Sequence, residues 1–95
     1  MIVQRVTHKV KQGCMEELVA LGNSFIESTG RTVRRYTPNV GRFDTLVGDH
    51  EFEGLAEMEK FWAEWHARPD TPAFMEKWFA LTETGGTTEI WNLVG

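Results

Sequence analysis

The chain has 95 residues, which fits one domain and leaves no room for two. Its formal charge is -4 and no basic run exceeds two residues, which argues against a nucleic-acid partner. Hydrophobic residues make up 41%, with four Trp and six Phe, more apolar surface than the thin core of so short a chain easily hides, so a homo-oligomer is expected.

Ile2 to Lys11 alternates, with Ile2, Val6, His8 and Val10 on one side and Val3, Arg5, Thr7, Lys9 and Lys11 on the other. Period two with β-branched residues predicts a strand. After Gln12-Gly13 the period changes. Met15, Leu18, Leu21 or Gly22, and Phe25 recur at three- and four-residue steps, so Cys14 to Thr29 is predicted as an amphipathic helix. Glu16 and Glu17 favour the positive end of its dipole, and Gly30 suits the left-handed position past its end.

Arg31 to Thr37 is a second predicted strand, with Val33 and Arg35 alternating against Arg34 and Tyr36. Pro38-Asn39 is turn chemistry. Phe43 to Phe52 is the third strand, and Gly48 within it marks a bulge or a close approach. Gly54 to Ala67 is the second helix, with Leu55, Met58, Phe61, Trp62 and Trp65 on one face and glutamates on the other. Thr71-Pro72 reads as an N-cap followed by Pro at the first helical position, opening a short third helix that ends near Leu81. Thr84-Gly85-Gly86 reads as a loop, and Thr87 to Val94 as the last strand.

The order β-α-β-β-α-(α)-β predicts an α+β fold of ferredoxin-like type. A four-stranded antiparallel sheet carries the helices on one face and leaves the other face bare for a second sheet. There is one Cys, so no internal disulfide forms. No signal-peptide pattern and no apolar run of bilayer length is present, so a cytoplasmic protein without a membrane partner is expected.

Several short motifs carry a resemblance. Val10-Lys11-Gln12-Gly13 followed by Met15-Glu16-Glu17-Leu18 resembles the strand-to-helix start of dimeric α+β barrel proteins, and the opening segment is similar to the NIPSNAP group within that superfamily. Val40-Gly41 with Asp44-Thr45-Leu46-Val47 is similar to its hairpin. His50-Glu51-Phe52-Glu53-Gly54-Leu55-Ala56-Glu57 is similar to its strand end and helix start. The chain departs where the family often has Arg and Tyr on the first strand, since Val6 and His8 stand there. Gln12 replaces a frequent Pro, and His50 a frequent aromatic.

The resemblance implies a homodimer whose sheets pack into a barrel. The superfamily holds cofactor-free quinone-forming monooxygenases, heme-degrading enzymes, chlorite-dismutase-like proteins and stress proteins, so fold does not settle function. The monooxygenases hold aromatic substrates between helices and sheet. The heme-degrading type adds a His on the last helix, where this chain has Lys77 and Trp78, so no cofactor is expected.

Three histidines are the first candidates for chemistry. His8 and His50 fall at opposite ends of neighbouring antiparallel strands, and no ExxH, HxxxH or HxH spacing occurs, so no metal site is expected. His8 reads as a semi-buried histidine, with a general base as the functional alternative. Trp62 and His66 lie one helical turn apart beside Trp65, and Phe74 and Trp78 face them from the third helix. Such a stripe is ordinarily core; its functional form is an aromatic pocket. Tyr36 is the only Tyr, and Cys14 lacks a second Cys or a neighbouring His. Arg31, Arg34, Arg35 and Arg42 read as a solvated face that the acidic second helix could balance.

Three functions remain open from the sequence. The first is binding of a small apolar or aromatic molecule by Trp62, Trp65, His66, Phe74 and Trp78. The second is cofactor-free oxygenation with His8, Tyr36 and His66 as catalytic candidates. The third is a non-catalytic interaction module, which predicts that side chains fill the space between helices and sheet.

Overall fold

The computed structural model describes residues Met1–Gly95. The elements run β1 (Ile2–Val10), α1 (Met15–Thr29), β2 (Val33–Tyr36), β3 (Thr45–Phe52), α2 (Leu55–His66), α3 (Thr71–Leu81) and β4 (Thr82–Asn92). The sheet order is β2-β3-β1-β4, with every neighbouring pair antiparallel. This is the ferredoxin-like α+β arrangement. No helix is long and apolar enough to cross a membrane.

Local signals explain most boundaries. Glu16 and Glu17 occupy the first turn of α1, and Gly30 closes it in the left-handed region at φ 68°, its N–H donating to the Ile26 carbonyl. Pro72 starts α3. Thr71 does not cap that helix. It is buried, and its hydroxyl donates to the Trp65 carbonyl, tying α3 to the end of α2. Asp70 stands at the cap position, but its carboxylate is held by Arg68 at 3.1 and 2.9 Å.

The strands depart from the sequence reading in three places. β2 is only four residues long, because Arg31 leaves the ladder to lie over the rings of Phe52 and Phe61 at 4.2 and 4.8 Å. β3 begins at Thr45, after Asp44 turns through φ 54°. β4 starts directly after α3 and runs through Gly85 and Gly86, which are not a free loop. β1 is long enough to pair Lys9 and Val10 with Glu83 and Thr82, and the ladder absorbs the extra residues as a bulge between Thr7 and Lys9. Gly86 is required there: a Cβ would stand 2.6 Å from the Thr7 carbonyl oxygen. Gly48 bears no bulge, since β1 and β3 stay in register through Val6↔Gly48.

Alternation gives the sheet two unlike faces. Ile2, Val10, Leu46 and Phe52 are buried beneath the helices. The other face carries Arg5, whose guanidinium grips Asp49 at 2.8 and 2.9 Å, together with Tyr36 and Trp91, 45% and 54% exposed. The core is thin and divided. Val10, Leu18 and Leu46 form one cluster, with Met15, Trp78 and Leu81 packed on it. Ile2 and Phe52 are buried at the far end of β1, opposite each other in the ladder. Between these two plugs the layer is not filled.

Candidate functional site

A row across the sheet forms the floor of the unfilled space. Arg35 pairs with Gly48, Gly48 with Val6, and Val6 with Thr88, so one rung contributes a residue from each of the four strands. All four line a cavity of about 400 Å³, and Phe25 of α1, Trp62, Trp65 and His66 of α2, and Phe74 and Trp78 of α3 line its upper wall. Gly48 makes the floor low, because no side chain rises from its centre. The volume lies within the roughly 300–1,000 Å³ of small-molecule sites.

The walls are held by aromatic edges. Phe25 stacks with Trp62 at 5.9 Å and meets Trp65 edge-on at 5.4 Å, while Phe74 stacks with Trp78 at 5.8 Å. Such pairs fix ring orientation beyond what simple burial would. The Trp62 indole N–H donates to Gln4 Oε1 at 2.7 Å, joining α2 to β1. An indole N–H only donates, so the oxygen of Gln4 is the acceptor and its amide protons are left without a protein partner.

The two strand histidines bracket the cavity. His8, opposite Leu46, meets Trp78 edge-on at 4.9 Å. His50, opposite Gln4, is 8% exposed, and its buried Nδ1 has no hydrogen-bond partner. Burial lowers both from the usual histidine value, His50 to about 4, with the nearby positive charge of Arg31 adding to the effect there. Both rings are therefore neutral at pH 7. Arg35 sits where β2 approaches α1, donating from Nη1 to the Val19 carbonyl at 3.2 Å and from Nη2 to Asn23 Oδ1 at 2.6 Å.

The residues singled out from sequence separate into two groups. His8, Trp62, Trp65, His66, Phe74 and Trp78 line the one cavity, with Trp65 buried and His66 exposed. Tyr36 does not join them. It follows Arg35 on β2 and projects to the bare face, near the Arg5 guanidinium. Arg31 and Arg34 pair with Glu57 and Glu51, at 3.3 and 3.7 Å. Arg35, grouped with these as a solvated cation, instead turns under the helices. Its alternation with Val33 was the available signal. Gln4, Phe25, Gly48 and His50 also line the cavity; for His50 the signal was its even spacing from Leu46 and Gly48.

No family model matches the chain, and no curated protein matches it. Solved structures do. A NIPSNAP domain protein from Burkholderia xenovorans superposes with a TM-score of 0.85 at 14% identity, covering 99% of this chain and 95% of that one. A NIPSNAP family protein from Agrobacterium tumefaciens gives 0.85 at 15% identity, covering 98% and 85%. An antibiotic biosynthesis monooxygenase gives 0.74 at 13% identity, covering all of both chains. At these identities the likeness shows the fold alone. That fold is the ferredoxin-like α+β arrangement of NIPSNAP domain proteins, in accord with the resemblance the sequence carries.

Proposed function

We propose that this protein binds a small apolar or aromatic molecule between its helices and sheet. The observation that carries the reading is the cavity of about 400 Å³, with hydrophobic residues at 10 of its 18 lining positions. An interaction module would have this layer filled by side chains, and it is not. Trp62, Trp65, Phe74 and Trp78 supply the flat apolar surface, and His66 stands at the exposed rim.

The test is a thermal-shift screen across aromatic metabolites and quinols, run on the wild-type chain and on Gly48→Leu. A leucine rising from the cavity floor fills part of the space at its centre while staying within an apolar lining. Compounds should stabilise the wild type and not the variant. A screen in which no compound shifts the wild type, or one whose hits are unchanged by Gly48→Leu, refutes the reading.

Cofactor-free oxygenation is the second reading. It is favoured by the neutral imidazole of His8 in the cavity wall, a proton acceptor beside an aromatic surface. The antibiotic biosynthesis monooxygenase that shares the fold supports it by analogy. Oxygen uptake with hydroquinones should occur and should fall in His8→Ala. No uptake, or uptake indifferent to His8 and His66, sinks it.

The assembly belongs to the same proposal. The bare sheet face presents Tyr36 and Trp91 around the Arg5–Asp49 pair, and a homodimer in which two such faces meet would cover them.

A further inference from the structure

The sign of charge around the cavity narrows what it takes. The chain holds 14 acidic and 10 basic residues, yet no Asp or Glu is among the lining residues. Arg35 is the only permanently charged group there. Of the five other arginines, Arg5, Arg31, Arg34 and Arg68 each have a carboxylate partner, and Arg42 stands exposed in the turn between β2 and β3. Arg35 has none: it is half-buried and meets only two neutral oxygens, the Val19 carbonyl and the Asn23 amide. A guanidinium has five N–H donors, so these two bonds leave the others unused.

The seat of that guanidinium is shaped for it. Gly22, buried on α1, leaves the space in which it lies, since a Cβ at that position would stand 3.1 Å from Arg35 Nη1. Val19 and Asn23 flank Gly22 on the same helix and accept its two bonds. Gly48 beside it on β3 keeps the floor open toward the rings. Gln4, which lines the same cavity and has its oxygen taken by Trp62, holds further donors in its amide protons. A half-buried charge without a counter-ion is unfavourable, and a ligand anion relieves it.

We propose that the ligand of this cavity is a small aromatic monocarboxylate, its ring system against Phe25, Trp62, Trp65 and Trp78 and its carboxylate on the Arg35 guanidinium. The assignment rests on the reading of the cavity as a small-molecule site. A planar carboxylate suits the guanidinium because two parallel N–H···O bonds fix its orientation as well as its charge.

The test is calorimetric titration with three probes of one shape: 2-naphthoate, 2-naphthamide and 2-naphthylmethylammonium. The acid should bind roughly tenfold or more tightly than the amide, the span of a hydrogen bond to a charged group, and the ammonium should bind weakest. This order opposes the chain's overall charge of -4, so long-range attraction does not account for it. In Arg35→Met the acid should fall to the amide's affinity while the amide is unchanged, and Arg35→Lys should keep part of the preference. Arg34→Met, on the opposite face, should leave all three as in the wild type. Equal binding of the three probes, tightest binding of the ammonium, or a preference that survives Arg35→Met overturns the anion assignment and leaves the apolar site standing. Failure of all three probes to bind overturns both. If Arg35→Met does not fold, the wild-type order and Arg35→Lys decide the question.

Discussion

At the scale of the residue, His50 couples the cavity wall to pH. Unfolded, it carries the ordinary value of 6.5; folded, burial holds it at about 4. The folded chain therefore binds fewer protons between these values, and acid favours unfolding. His50 contributes its stability in full above pH 6.5 and loses it as pH falls through about 4, an effect of up to about 3 kcal/mol. His8 is shifted the same way. Asp49 acts in a lower window: the Arg5 hydrogen bonds depress its carboxyl, so its contribution is lost only below the usual 3.8. Urea midpoints taken at pH 7 and pH 4.5 should fall for the wild type and fall less for His50→Phe, which places an apolar ring among Phe25, Phe52 and Trp62. Identical losses in both chains would remove His50 as the source.

At the scale of the element, two glycines predict opposite outcomes. Gly86→Ala drives a Cβ to 2.6 Å from backbone that cannot retreat without breaking the β1–β4 ladder. It should cost about 1–3 kcal/mol, as overpacking does, and a denaturant midpoint equal to the wild type's would contradict this. Gly48→Ala meets only ordinary contacts, 3.6 Å from Val33 and 3.8 Å from His50. Replacing a strand glycine there should raise stability by roughly 0.5–1 kcal/mol, visible as a higher melting temperature. The same two residues show what sequence could reveal. Alternation and helical period placed all seven elements in order, because those patterns are local. The run of β4 through Gly85 and Gly86 was not legible, since it depends on how far β1 extends beside it. Nor was the inward turn of Arg35. Its alternation with Val33 gave the side, but not which side α1 would cover, or that Gly22 would leave room for a guanidinium.

At the scale of the whole molecule, the bare sheet face predicts association. Light scattering at micromolar concentration should report a dimer, and Trp91→Glu, which sets a carboxylate on that face, should shift it toward monomer. A monomeric wild type would contradict the homodimer. The candidate site was legible to the extent that its helix residues were: Trp62, Trp65, Phe74 and Trp78 announced themselves by spacing, whereas the cavity arises from what Gly48 omits, and an omission has no period. The sheet order has one more consequence. It leaves two edges of very different length, four residues of β2 against eleven of β4. The short edge is too small to template another strand. The long one offers unpaired backbone groups beside Ile90 and Trp91, and only its bulge and Glu83 and Glu89 guard it. Aggregation at high concentration should therefore begin by strand addition along Thr87–Asn92, and a lysine or proline set into that edge would be the natural guard against it.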